Sequence, residues 1–216
     1  MPTVPPIETL TATRRALHGV AELVLAGPEH RRTGEIQLHV EPDGFRTVTE
    51  PDLRVAGDRL VAGERRLPLS GTTFRALADA AGVDVGAPAD LYHEGSGAEP
   101  DDPVEVDPTA AAYLEECFAL GDAALRAFAP AEQPILWPEH FDVGIAVHEV
   151  NYGVSPGDGY HAEPYAYVSP WQRRTGGFWN APFGAVRPMR TFAGRDALVA
   201  FFAEGRERAR QDPAAD

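Results

Sequence analysis

The stretch Leu136–Trp171, LWPEHFDVGIAVHEVNYGVSPGDGYHAEPYAYVSPW, contains two predicted β-strands and the densest group of histidine, carboxylate and aromatic residues in the chain. Apolar residues alternate with small or polar ones from Phe141 to Val150 and again from Glu163 to Ser169, which is the period of a half-buried strand. Residues 151–162 include Gly, Pro and Asp and are interpreted as a loop. The stretch therefore predicts an antiparallel hairpin with a long connection.

Alternation also predicts which side chains of this hairpin share a face. One face of the first strand is assigned to the core and carries Phe141, Val143, Ile145 and Val147. The opposite face carries Asp142, Gly144, Ala146 and His148, and the second strand adds Glu163, Tyr165, Tyr167 and Ser169. In a hairpin the tyrosines lie across the small Gly144 and Ala146, and His148 comes close to Glu163 near the loop.

This polar and aromatic face is the predicted ligand-binding cleft. The residues expected to line it are Asp142, His148, Glu163, Tyr165, Tyr167 and Trp171. The alternative is that the tyrosines pack beneath a helix with their hydroxyl groups satisfied by hydrogen bonds.

Metal binding and hydrolysis are weaker interpretations of the same stretch. His148, His161, Glu149 and Glu163 could meet at the mouth of the hairpin, but no compact ligand spacing such as HExxH is present, so no metal ligands and no cofactor are assigned. The run Gly153–Gly157 matches the GxSxG pattern of a serine hydrolase. We interpret this match as accidental, because a nucleophile elbow continues into a helix and Pro156 has no N–H for an oxyanion hole.

The composition limits the possible partners. The net charge of −14 opposes binding to nucleic acid or to an anionic membrane surface. All 19 basic residues are arginine, which excludes a Schiff-base lysine and a P-loop lysine. The single Cys117 excludes an intrachain disulfide. Because there is no apolar run of membrane-spanning length and no signal-like N-terminus, we expect a soluble cytoplasmic protein.

The rest of the chain predicts an α+β fold, with antiparallel strands flanked by about four helices. An opening helix is expected to end at Gly27-Pro28, a five-stranded meander follows from Glu35 to Leu69, and Ser70 is expected to cap a short helix that ends at Gly82. Asp107 and Pro108 begin a long amphipathic helix, and a last helix precedes a fraying tail.

The domain organisation is predicted as one α+β unit over residues 1–216. The pattern also allows a bilobal unit, with similar helix–strands–helix halves at residues 1–83 and 108–211. The acidic Gly/Pro-rich residues 84–107 are interpreted as a solvated connector, with an acidic docking surface as the alternative.

Five segments resemble a bacterial family of uncharacterised proteins known only as a domain of unknown function. They are TLTATRRALHGVAELVLAGP, RLVAGERRLPLSGTTFRAL, HFDVGIAV, EPYAYVSP and DALVAFF. Members have an FDLAV-like strand and a tyrosine-rich YAY strand, and this chain is shorter between its last two such segments. The resemblance implies one α+β unit over most of the chain, and it implies no activity or cofactor.

Three functions remain open from the sequence. The first is binding of a small molecule in the polar and aromatic cleft. The second is an enzyme, with a hydrolase as one option, in which His148 acts as general base or metal ligand near Glu163 and residues 151–162 close as a lid. The third is a protein-interaction module that uses the acidic connector and exposed aromatic residues.

Overall fold

The computed structural model describes residues 4–88, 91–92 and 95–215 and has the predicted α+β fold. The four helices are α1 (Ile7–Gly19, continued by a π-helical stretch Val20–Ala26 and by Gly27–Thr33), α2 (Phe74–Ala81), α3 (Pro108–Phe128) and α4 (Arg195–Gln211). The strands of the first half are β1 (Leu38–Glu41), β2 (Gly44–Thr47), β3 (Leu53–Ala56), β4 (Arg59–Ala62), β5 (Arg65–Pro68) and β6 (Thr72–Thr73). Those of the second half are β7 (Pro103–Val104), β8 (Ile135–Trp137), β9 (Asp142–Val147), β10 (Val150–Ser155), β11 (Tyr165–Pro170) and β12 (Ala185–Pro188).

Ten strands form one antiparallel sheet in the order β12-β11-β10-β9-β8-β1-β2-β3-β4-β5. It consists of two five-stranded meanders whose first strands, β1 and β8, pair antiparallel at Leu38 and Leu136. The first meander is preceded by α1 and followed by the short α2, and the second is preceded by α3 and followed by α4. The similar order of elements in the two halves is therefore present in the structure, and both halves contribute to one sheet.

The first helix does not end at Gly27-Pro28, as the sequence predicted, but continues to Thr33 and is closed by Gly34 in the left-handed conformation. The π-helical stretch shifts the hydrogen bonds to i→i+5, so that the Gly27 N–H reaches the Glu22 carbonyl. In this register the Leu23 carbonyl faces Pro28, which has no N–H. The Gly86 N–H donates to the Leu23 carbonyl instead, at 2.9 Å. A contact from a distant segment thus allows proline inside the helix.

The described part of residues 84–107 is hydrogen-bonded to α1 through Gly86 and Ser96, while more than half of its residues stay exposed. The buried Glu22 carboxylate accepts hydrogen bonds from the backbone N–H of Ser96 at 2.9 Å and from its hydroxyl at 2.5 Å. Strand β7 pairs with β6. Ser70 does not cap α2, because its hydroxyl exchanges hydrogen bonds with the backbone of Val106, and Thr73 caps the helix instead.

Helices α3 and α4 pack against one face of the second meander. Gly121 and Gly205 allow this close packing, because a Cβ at either position would lie 2.6–2.7 Å from Val154 or Val168. Asp107 caps α3 as predicted, through the Thr109 and Ala110 N–H groups. The tail predicted to fray is residues 206–216. Helix α4 extends to Gln211 and so includes residues 206–211, while residue 216 lies outside the described residues. No helix in the described ranges is both long and apolar enough to cross a membrane.

The two strands that were predicted to form a hairpin, now β9 and β11, are not paired with each other. Instead of one long loop, a tight turn at His148 and Glu149 leads into β10, which lies between β9 and β11. Both turn residues have positive φ, 51° and 62°, as a two-residue type I′ turn requires, although Asn and Gly are the usual residues there. Sequence alternation could not show this turn, because the positions carry neither the Asn nor the Gly that usually marks it.

Burial of one carboxylate in α3 makes stability depend on pH. Glu115 is buried, its Oε1 has no hydrogen-bond partner among the described residues, and burial raises its pKa from 4.5 to about 7. Below pH 4.5 the Glu115 carboxyl group is protonated in both the folded and the unfolded state, so its burial does not change the free energy of unfolding with pH. As the pH rises to 7, ionisation favours the unfolded chain and stability is lost.

We expect Glu115→Gln to raise the free energy of unfolding by about 2 kcal/mol at pH 8 and to leave it nearly unchanged at pH 4.5. Urea unfolding at the two pH values measures this difference. The control is Glu116→Gln, which removes the same charge from the neighbouring, less buried position. An equal gain from both variants would assign the effect to net charge rather than to burial of Glu115.

Candidate functional site

The face of the second meander opposite α3 and α4 carries a groove of about 620 Å³. The strand register sets its floor, because Gly144, Gly153 and Tyr167 lie directly opposite one another on β9, β10 and β11. Residues opposite in register share a face. The groove is lined by Arg14, Arg15, His18, Gly95, Glu139, His140, Phe141, Asp142, Asn151, Ser155, Pro156, Gly157, Asp158, Gly159, Tyr160, Tyr165, Tyr167, Ser169 and Phe183.

Two glycines make room for the Tyr167 side chain on this floor. A Cβ at Gly144 would lie 2.9 Å from the Tyr167 hydroxyl, and a Cβ at Gly153 would overlap with the same phenol. The ring therefore reaches over β10 to β9, where its hydroxyl donates a hydrogen bond to Asp142 Oδ2. The predicted placement of Tyr167 over Gly144 is confirmed. Gly153 was predicted to lie in a loop, but it is part of β10 and also lies beneath the Tyr167 ring.

Asp142 and Tyr167 form the most buried polar pair of the groove. Asp142 is 9% exposed, and its burial raises the pKa of the carboxyl group, against the opposing effect of the hydrogen bond from Tyr167. Burial and the adjacent Asp142 also raise the pKa of Tyr167 well above its usual value, so the phenol keeps its proton. Shifted pKa values of this kind are typical of groups that bind or transfer protons in clefts.

A second tyrosine–carboxylate pair lies at the end of β10. Tyr165 donates its hydroxyl hydrogen to Asp158 Oδ2 at 2.5 Å. Asp158 also accepts hydrogen bonds from the backbone N–H groups of Tyr160 and His161 through Oδ1, which fixes the loop that follows β10. Tyr160 meets Tyr165 and Phe183 edge-on and extends an aromatic wall beside the pair.

Helix α1 forms the opposite wall. Arg14 donates from Nη1 to the Ala162 carbonyl at 3.2 Å, which ties the helix to the loop after β10. Burial lowers the pKa of Arg14, and the negative charge of the nearby Asp158 opposes this change. His18 stacks on Phe141 with ring centroids 5.3 Å apart and an interplanar angle of 8°.

Burial lowers the pKa of His18 below its ordinary value, which favours the neutral imidazole. Its Nε2 lies 2.7 Å from the Pro138 carbonyl, which only accepts hydrogen bonds, so Nε2 carries the proton. This tautomer leaves Nδ1 as a hydrogen-bond acceptor at the wall of the groove.

Of the six predicted ligand residues, three line the groove and three do not. Asp142, Tyr165 and Tyr167 line the groove. Trp171 is 67% exposed and donates from Nε1 to the side chain of the lining residue Asn151 at 3.1 Å. Glu163 accepts a hydrogen bond from Arg190 Nε at 2.7 Å in an ion pair outside the groove.

His148 lies away from the groove, and its predicted proximity to Glu163 was wrong. The length of strand β10 separates the two, because His148 lies in the turn before its first residue and Glu163 lies just before Tyr165, which pairs with its last residue. Five residue steps of a strand span about 17 Å. His148 and Glu149 therefore cannot join His161 and Glu163 around one ion. In the described ranges no group of three or more His, Cys, Asp or Glu side chains is arranged to hold a metal.

Ser155 does not form a nucleophile elbow. It is the last residue of β10, it is 6% exposed, and its Oγ accepts a hydrogen bond from the Gly157 N–H at 3.2 Å. A loop follows it instead of the required helix.

Sequence reasoning missed Arg14, His18 and Asp158 as lining residues. Arg14 and His18 are four residues apart and thus share a face of α1, which is a signal the sequence does contain. Asp158 stands between two glycines and was assigned only to a loop. Comparison of the chain with family models, with curated proteins and with solved structures found no match. The resemblance to the uncharacterised bacterial family stays a prediction.

We expect Tyr167→Phe to lower the free energy of unfolding by about 2 kcal/mol at pH 8, because it removes a donor from a buried carboxylate. The loss should shrink as the pH falls, since the raised pKa of Asp142 rises further without the phenol and the carboxyl group then protonates at higher pH. Urea unfolding at pH 8 and pH 4.5 measures both effects. Tyr160→Phe, at a 47% exposed tyrosine, is the control and should change stability by less than about 0.5 kcal/mol. A loss that is equal at both pH values would contradict a role for ionised Asp142.

Proposed function

We propose that the groove binds a small, uncharged molecule that carries hydroxyl groups and one flat apolar face. The observation that carries this proposal is the Asp142–Tyr167 pair on a sheet face that α3 and α4 leave open. Burial of a carboxylate is costly unless hydrogen bonds satisfy its oxygens, and Asp142 lines an accessible cavity in which ligand hydroxyls can add such bonds.

The shape of the groove supports a small-molecule ligand. Its volume of about 620 Å³ falls within the range of roughly 300–1,000 Å³ that is usual for such sites. The aromatic wall of Tyr160, Tyr165 and Phe183 can cover an apolar ligand face, while carboxylate oxygens accept hydrogen bonds from ligand hydroxyls.

The charges of the groove support an uncharged ligand. The carboxylates are Glu139, Asp142 and Asp158, and Arg14 supplies one positive charge near Asp158. Arg15 adds a second positive charge, so neither sign dominates strongly. A charged ligand would meet both attraction and repulsion in the same groove.

Binding can be tested by isothermal titration of the full chain against single pentoses, hexoses and nucleosides. We expect saturable binding of at least one of them, and Asp142→Asn should weaken it at least tenfold because the stronger acceptor is lost. Asp58→Asn, which removes an exposed carboxylate of the first meander, should leave the affinity unchanged. Saturable binding that Asp142→Asn does not weaken, or no binding by any of the probes, would contradict the proposal.

The raised pKa of Asp142 favours a second candidate, an enzyme that uses this carboxyl group as general acid or base. In that case Asp142→Asn abolishes turnover of a bound ligand while Tyr167→Phe shifts the pH profile of the rate. In a pure binding protein neither variant has turnover to change. His148 is not part of this candidate because it lies at the other end of β10.

A further inference from the structure

Three arginines line a cavity of about 230 Å³ at the other end of β10 from the groove. They are Arg174 and, on α4, Arg206 and Arg210. Residues 206 and 210 are four apart and lie on one helix face. A concentration of positive charge stands out in a chain of net charge −14.

Within residues 4–88, 91–92 and 95–215, none of these three guanidinium groups has a carboxylate within 4 Å. Arg208 on the same helix contrasts with them, because it pairs with Glu204 at 3.8 Å and with Asp212 at 4.0 Å. Like charges at i and i+4 repel each other, and no acidic side chain of the described ranges relieves that repulsion by an ion pair.

The guanidinium groups are partly fixed in place. Arg206 lies over the Phe128 ring at 4.6 Å from its centroid, which holds its plane and leaves its edge available. Arg174 is half-buried, and its Nε is fully buried with no hydrogen-bond partner in the described parts of the chain. A buried donor without a partner is uncommon in folded proteins and points to a missing acceptor.

The remaining lining groups leave the cavity positive. Glu149 is its one carboxylate in the described ranges, against three arginines, and Gln172 and Tyr152 add neutral polar groups. Burial raises the pKa of Tyr152 to about 12, so its phenol keeps its proton and can donate. His148 and Glu149, with positive φ, form the rim.

We propose that this cavity binds a phosphate group. Phosphate is compact enough for a cavity of 230 Å³, which is smaller than usual sites for drug-sized ligands. Its oxygens match the planar fork of arginine, and two negative charges would neutralise the excess of arginine over Glu149. The site is separate from the groove and does not rest on the function proposed for it.

The test is isothermal titration of the full chain with inorganic phosphate and, in a second arm, with glycerol 2-phosphate, at constant ionic strength set by sodium chloride. We expect saturable 1:1 binding in at least one arm, and the arms distinguish free phosphate from a phosphate ester. Arg174→Gln and Arg210→Gln should each weaken it at least tenfold. Both avoid Arg206, whose contact with Phe128 also supports packing.

Arg208→Gln is the matched control, since it removes an arginine from the same helix outside the cavity, and it should leave the affinity unchanged. Equal weakening by Arg208→Gln would overturn the proposal in favour of non-specific charge attraction. Absence of saturable binding by the unmodified chain in both arms would also overturn it, whatever the variants do.

Discussion

Replacing Phe141 with alanine is expected to lower the free energy of unfolding by about 3–5 kcal/mol, the usual cost of removing a fully buried phenylalanine. Phe141 is 1% exposed and lies where the two halves of the chain meet. It stacks on His18 of α1 and meets Phe45 of β2 and Phe118 of α3 edge-on, with centroids 5.3–5.4 Å apart. Alanine keeps none of these contacts.

Chemical unfolding of Phe141→Ala measures this loss, and Trp171→Ala is the aromatic control. Trp171 is 67% exposed, so its removal should cost less than about 1 kcal/mol. A second readout is the pKa of His18 by NMR, which should rise toward its ordinary value of 6.5 once water replaces the Phe141 ring. A loss below about 1 kcal/mol in Phe141→Ala would show that the halves do not depend on this cluster.

Gly27→Ala is expected to destabilise the protein by about 3 kcal/mol, although the same change inside a helix usually stabilises by about 1 kcal/mol. The reason is a backbone contact, because a Cβ on Gly27 would overlap with the carbonyl of Gly86. The two segments cannot move apart without breaking the hydrogen bond from the Gly86 N–H to the Leu23 carbonyl.

Urea unfolding measures the loss for Gly27→Ala, and hydrogen exchange at the Gly86 amide locates it. The amide should exchange faster in the variant because its acceptor is displaced. Gly177→Ala is the control, since a Cβ there meets nothing within 4 Å. If Gly27→Ala stabilised the protein, the close approach of residues 27 and 86 would be contradicted.

The stretch around Gly27 also shows why part of the fold could not be predicted. Gly27-Pro28 normally ends a helix because proline has no N–H and interferes with the preceding turn. Here a π-helical stretch accommodates the proline, and the Gly86 N–H donates the hydrogen bond that proline cannot. Gly86 lies almost 60 residues away in sequence. Local propensity has no information about such a partner, so the predicted helix end was wrong.

The turns after β3 and β4, by contrast, were predictable because each carries its own glycine. Ala-Gly-Asp and Ala-Gly-Glu supply glycine at positions 57 and 63, and both glycines have positive φ in the structure. Asp107 and Pro108 likewise mark the start of α3 through local hydrogen bonds. The turn at His148 and Glu149 lacks such residues and was missed.

For the candidate site, the sequence by itself determined which residues of a strand share a face, because side chains alternate along a strand whatever lies beside it. That rule placed Tyr165 and Tyr167 on one face of their strand and Asp142 on the same face of its strand as Gly144. Only the tertiary structure decided that β10 lies between their strands, that His148 lies at the opposite end, and that Arg14 comes to the loop residue Ala162, 148 positions away. Periodicity is a property of neighbouring residues, whereas strand order and helix packing depend on contacts between distant parts of the chain.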